Sequence, residues 1–81
     1  METIQQLLNR IHWDEEFGQG DFEVGIYDRV ADTVNFQPLQ NLQMKKGNHF
    51  SFTVCIGGER VTIPFHRIRE VRKNGESIWH R

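Results

Sequence analysis

Histidine and arginine stand side by side after a proline at Pro64-Phe65-His66-Arg67, and they are the residues of this chain best suited to holding an anion. An imidazole donates one or two hydrogen bonds near neutral pH, and a guanidinium offers a planar fork that matches phosphate oxygens. The same pair can instead tie down a tight bend by bonding backbone carbonyls or Glu70, and on spacing alone that plainer role is the commoner one. Tyr27 and Arg29 pose the same choice. Arg29 on an outward strand face is usually a solvated charge, and Tyr27 a packed ring with a wet hydroxyl. Asp14-Glu15-Glu16 has the oxygens to hold a divalent ion, but a solvated acidic loop is the more usual outcome of such a run.

Other chemistries lack their residues. There is no Gly-x-x-x-x-Gly-Lys phosphate loop and no Gly-x-Gly-x-x-Gly fingerprint. His12, His49, His66 and His80 show neither His-x-x-x-His nor Cys-x-x-Cys spacing, so no structural zinc and no other cofactor is expected. Cys55 falls mid-strand among apolar residues and reads as a small core filler rather than a nucleophile. Trp13 and Trp79 read as core, because so small a domain needs every large ring it has.

A chain of 81 residues with 37% apolar and 26% charged side chains makes one globular domain, residues 1–81, with a small core. The single cysteine cannot form an internal disulfide, and there is neither a long apolar run nor a signal-like N-terminus; a cytoplasmic setting and no membrane partner are expected. The net charge of −1 hides an asymmetry. Residues 1–35 carry eight acids against two bases, and residues 60–81 six bases against two acids. That basic end can attract an anion locally, whereas the near-neutral whole argues against nonspecific duplex DNA binding.

The elements that must position these residues follow from local pattern. Thr3-Ile4-Gln5-Gln6 is a capping box, and Ile4, Leu7, Leu8 and Ile11 form one stripe of a helix over about residues 3–11. Phe22, Val24 and Ile26 alternate with Glu23, Gly25 and Tyr27 as a half-buried strand. Weaker strand pieces follow at Val34-Asn35-Phe36 and from Leu39 to Met44, interrupted by Pro38, with a turn at Lys45-Lys46-Gly47-Asn48. Phe50, Phe52, Val54 and Ile56 share one strand face. Gly57-Gly58 turns that strand into Arg60-Val61-Thr62-Ile63, which Pro64 ends. Asn74-Gly75 is a strong hairpin signal, and a regular register from it sets Lys73 opposite Glu76, Val71 opposite Ile78, Arg69 opposite His80 and Ile68 opposite Arg81. Arg81 therefore comes beside His66 and Arg67. The expected fold is α+β, an N-terminal helix packed on a strongly bent, mainly antiparallel sheet or a small partly closed barrel. Pro38-Leu39-Gln40-Asn41-Leu42 also echoes Pro64-Phe65-His66-Arg67-Ile68, over too few positions to establish a duplication.

Three stretches together resemble one family: Leu8-Asn9-Arg10-Ile11-His12-Trp13-Asp14, Tyr27-Asp28-Arg29, and Ile63-Pro64-Phe65-His66-Arg67-Ile68-Arg69-Glu70-Val71-Arg72 with Gly75 and Trp79-His80-Arg81. The family is the RNA cyclic-group end recognition domain, long listed as a domain of unknown function, and the similarity runs in order over nearly the whole chain. The resemblance implies an accessory of RNA repair or processing that recognises RNA 3′ ends, above all 2′,3′-cyclic phosphates. It also implies work beside an RNA ligase, nucleotidyltransferase or phosphoesterase. Carried over by position, the site residues are His66, Arg67, Arg81, Arg29 and Asp14, with Tyr27 a ring on which the terminal base can stack. The chain departs from the family pattern in its irregular middle and in Val30, where a small residue is expected. A binding module is favoured over an enzyme. Two alternatives stand beside it: a cyclic phosphodiesterase pairing His66 with His80, and a protein-interaction adaptor that pairs through a sheet edge without binding RNA.

Overall fold

The computed structural model describes residues 2–44 and 50–81; the turn expected at Lys45-Lys46-Gly47-Asn48 lies outside them. The first element is a helix, α1 (Ile4–Trp13). Its start is the capping box: the Thr3 hydroxyl accepts from the Gln6 N–H at 3.2 Å, and the Gln6 amide oxygen accepts from the Thr3 N–H at 2.9 Å. Ile4, Leu7 and Leu8 are buried, so the apolar stripe faces inward as expected. The helix runs two residues past Ile11, which carries Trp13 about 200° round the axis from that stripe. Trp13 is therefore 77% exposed rather than in the core, its ring edge-on to His12.

Among the described residues seven strands follow: β1 (Phe22–Asp28), β2 (Thr33–Pro38), β3 (Leu42–Gln43), β4 (Ser51–Ile56), β5 (Glu59–Pro64), β6 (Ile68–Lys73) and β7 (Glu76–His80). They form two antiparallel sheets, one of order β2-β1-β6-β7 and one of order β3-β4-β5, not closed into a barrel. The α+β class is as expected. The helix and the inner faces of both sheets enclose one core, with Leu7, Val24, Val54, Ile68 and Val71 among its most deeply buried side chains. Cys55 points the other way on β4 and is exposed, because strict alternation with the buried Phe52 and Val54 leaves it outside.

The chain crosses between the sheets at two corners of the same build. Leu39–Asn41 leads from β2 to β3, and Phe65–Arg67 leads from β5 back to β6; each is a single 3-10 turn. Each follows an extended proline, Pro38 or Pro64, and is closed by an N–H of the next residue, Leu42 to the Leu39 carbonyl and Ile68 to the Phe65 carbonyl. Proline ends a strand because it has no N–H to give the ladder. The short sequence echo is thus a repeated corner, and where the first corner has Gln40 and Asn41 the second has His66 and Arg67.

Two bulges correct the regular register. On β6, Arg69 is an extra residue: Gly25 pairs with Glu70 while Ile26 pairs with Ile68. On β7, Ile78 is extra: Val71 pairs with Trp79 and Arg72 with Ser77. Val71 therefore faces Trp79 rather than Ile78, Glu70 rather than Arg69 faces His80, and the Arg81 N–H donates to the Arg69 carbonyl at 3.0 Å. The bulges are explained by burial. Ile68 and Val71 are three apart and would lie on opposite faces of a regular strand; one extra residue between them turns both inward. The second bulge brings the larger indole into the core, where its Nε1–H donates to the Glu2 carbonyl at 2.7 Å.

The Asn74-Gly75 turn has both residues at positive φ, +52° and +84°, as the two-residue hairpin requires. Asn74 also holds the loop before β1: its side-chain oxygen accepts from the Asp21 N–H at 2.9 Å, and its own N–H donates to the Asp21 carbonyl at 2.7 Å. Asn74→Ala is expected to cost about 1–2 kcal/mol by losing that acceptor and the tolerance of positive φ. Thermal denaturation should register this as a drop of about 5–15 °C.

Candidate functional site

At one end of the four-stranded sheet β1 finishes, β6 begins and β7 runs out into Arg81. The second corner lies against β1 there. Because Ile26 pairs with Ile68, Tyr27 comes level with the corner's last residue, Arg67. His66 is exposed on the corner and Arg67 half-buried. The β1–β2 turn carries Arg29 outward; it is shaped by the Asp28 carboxylate, which accepts from the Val30 N–H at 2.9 Å and the Ala31 N–H at 3.3 Å. Four of the expected residues on three separate elements, Tyr27, His66, Arg67 and Arg81, are thereby gathered at this end, with Arg29 on the adjoining turn.

Arg69 is the residue that sequence reasoning missed. As the bulged residue of β6 it leaves the strand's alternation, and its guanidinium carbon sits 4.9 Å from the centre of the Tyr27 ring. Its Nε is buried with no hydrogen-bond partner. A buried donor without an acceptor costs about 1–3 kcal/mol, and proteins keep few of them. Among the described residues the ion pairs are Arg10–Glu2 and Arg72–Glu70, so Arg29, Arg67, Arg69 and Arg81 have no carboxylate partner there. The signal for Arg69 was present in the apolar pair Ile68 and Val71, whose spacing of three in a strand implies an inserted residue between them.

Tyr27 is held rather than free. Its hydroxyl donates to the Asp32 carboxylate at 2.6 Å, and Asp32 is placed for this by a left-handed φ of +52°. That hydrogen bond, followed by burial and the carboxylate's charge, raises the phenol pKa above its ordinary value of 10.0, against the opposing charges of Arg69 and Arg29. The phenol is therefore neutral at physiological pH and acts as a fixed ring beneath the Arg69 guanidinium.

Asp14 lies elsewhere. Its carboxylate accepts from the Glu16 N–H at 3.1 Å and the Phe17 N–H at 3.0 Å, closing the turn after α1. The Phe17 carbonyl in turn accepts from Lys73 Nζ at 2.9 Å, which puts this turn at the far end of β6 from Ile68. An open groove of about 580 Å³ lies at that far end as well, lined by Ile11, Asp21, Glu23 and Leu39 among others. Its acids give it the wrong sign for a phosphate. His80, exposed and opposite Glu70, is one register step from the position that pairing with Arg69 implied. Among the described residues no three His, Cys, Asp or Glu side chains gather to hold a metal ion, and no helix is long and apolar enough to cross a membrane.

What this end of the sheet can do is bind a small anion. Arg67 and Arg69, which pair with no carboxylate among the described residues, lie there with a pinned aromatic ring and an exposed imidazole, while the Arg81 guanidinium sits over the Trp79 ring, 5.2 Å from its centre. The sequence profile described as the MJ1316 RNA cyclic group end recognition domain matches residues 1–81. UPF0248 protein MJ1316 of Methanocaldococcus jannaschii is 32% identical over 79 residues, which are 94% of this chain and 90% of that protein. No solved structure matches the chain.

Proposed function

Because the chain belongs to the MJ1316 RNA cyclic group end recognition domain family, we propose that it binds RNA termini, with the 2′,3′-cyclic phosphate as the preferred end. The observation that carries this reading is the unpartnered Nε of Arg69 among arginines that form no ion pair with a carboxylate of the described residues. A cyclic phosphate is a compact monoanion fused to its ribose. Arg69, stacked beside Tyr27, offers a planar fork that forms two parallel hydrogen bonds to the phosphate once it turns outward. Arg67 on the corner and Arg81 at the end of β7 add charge at this end of the sheet, and His66 supplies a donor to the ribose or to a bridging oxygen. Asp14, at the far end of β6, serves the fold of the loop after α1 and stays out of the bound complex. The biological setting that fits is RNA repair or processing in the cytoplasm, the domain presenting ends to a ligase, nucleotidyltransferase or phosphoesterase.

The test is an NMR amide titration with three RNAs of one sequence ending in 2′,3′-cyclic phosphate, 3′-phosphate or 3′-hydroxyl. Shifts centred on Tyr27, His66, Arg67, Arg69 and Arg81, tightest for the cyclic end, are expected. His66→Ala and Arg67→Ala should each weaken that binding about tenfold with an unchanged circular dichroism spectrum. Equal, weak, salt-sensitive shifts for all three RNAs would overturn end recognition. Ring-opened product that disappears in His66→Ala would replace the binding module with a phosphodiesterase.

A further inference from the structure

The outer face of the four-stranded sheet extends away from the arginine cluster. Cross-strand pairing puts Tyr27, Val34, Gly25 and Phe36 on that face together with Arg72. Val34 is 41% exposed, and Phe36 is half-buried. Phe36 reaches across β1 because Gly25 has no side chain: a Cβ there would meet Val34 Cγ1 at 2.9 Å and Phe36 Cε1 at 3.0 Å. The Arg72 guanidinium carbon lies 4.0 Å from the Phe36 ring centre, as Arg69 lies over Tyr27. Two arginine–aromatic stacks thus stand in a row, with Gly25 and Tyr27 two residues apart on β1, about 7 Å at the usual rise.

Resting on the end-recognition reading above, we infer that this face carries the nucleotides that precede the terminus, as single-stranded RNA. Alternating rings and guanidiniums are what unpaired bases stack on without regard to sequence, and the cationic cluster at the head of the row holds the phosphates in register. Arg72 shields Phe36 in the free protein. Its ion pair with Glu70 is partly exposed, so it swings aside at small cost and can stack on the outer side of the bound base. The track is short. Beyond Phe36 the face reaches Glu23 and the Asp21 loop, whose charge repels a continuing backbone. Two stacked bases fill it.

Fluorescence titration with RNAs of one to six nucleotides, all ending in 2′,3′-cyclic phosphate, tests this. Affinity should rise about tenfold for each of the first two added nucleotides and then level off. Phe36→Leu, which keeps an apolar side chain over Gly25, should abolish the second of these gains and leave mononucleotide binding unchanged; Phe36→Trp should retain both. End-selective mononucleotide binding with no gain from length, or an equal gain in Phe36→Leu, overturns the stacking face and leaves end recognition standing. Binding that ignores the end but still grows with length, and loses the second step of that growth in Phe36→Leu, supports the stacking face and overturns end recognition.

Discussion

Arg69→Met is expected to weaken binding of a cyclic-phosphate RNA end by about a hundredfold while leaving the domain as stable as before or up to about 1 kcal/mol more stable. The two halves of this result have one cause. In the free protein the Arg69 Nε is buried without an acceptor, so the folded state already bears the desolvation cost of that N–H. Methionine has similar length and no donor, so replacing the side chain removes the cost and keeps contact with the Tyr27 ring. In the complex the side chain turns beside the Tyr27 ring, so that the same N–H reaches a charged oxygen. Hydrogen bonds to charged groups contribute about 1.5–3 kcal/mol each, and a bidentate pair is the stronger arrangement. Calorimetric melting and RNA titration on one protein sample read both effects. A merely structural arginine would give the opposite pair, with lower stability and unchanged affinity. Arg69→Lys should recover only part of the binding, since an ammonium lacks the fork.

How much of this was legible beforehand depended on whether a residue's place is set locally or by the closing of the core. The capping box of α1 and the Asn74-Gly75 turn depend on neighbours in sequence, and the structure has them as the pattern implied. The corner His66-Arg67 was located by Pro64, another local signal, and the arrival of Arg81 beside β6 at the same end of the sheet needed only the hairpin. The two bulges are different. A regular ladder is the default for a pair of strands, and nothing within β7 alone says that Ile78 will be left unpaired so that Trp79 can face Val71. That choice is made by the volume the core must fill, because burying an indole removes more apolar surface from water than burying an isobutyl-sized side chain. Arg69 was overlooked for the same reason. Its departure from the strand, its burial and its stack on Tyr27 all follow from a bulge dictated by Ile68 and Val71. Trp13 and Cys55 were placed in the core by residue type, and the helical angle and the strand alternation put them outside.

Phe65→Ala is the substitution expected to cost the fold most for its effect on the site. The ring is buried in the core, 5.4 Å from Phe52 between centroids, and the Phe65 N–H donates to the Phe50 carbonyl at 2.9 Å. Truncating a buried phenylalanine typically costs about 3–5 kcal/mol. A domain of this length has about 4–12 kcal/mol in all, so the variant should be partly unfolded at 37 °C or close to it. Urea denaturation should show the loss as a lower midpoint with an unchanged slope. The consequence for function follows from position. Phe65 is the first residue of the turn whose next two residues are His66 and Arg67, so it is the anchor that fixes where both of them stand. Phe65→Leu keeps most of the volume, should cost less than about 1.5 kcal/mol, and should bind RNA ends normally. The first corner provides the control. Leu39 occupies the same place in its turn but is only half-buried, and Gln40 and Asn41 follow it. Leu39→Ala should therefore cost well under half as much and leave binding at the other end of the sheet untouched. Equal losses of stability at the two corners would mean that burial of Phe65 is not what holds the second one.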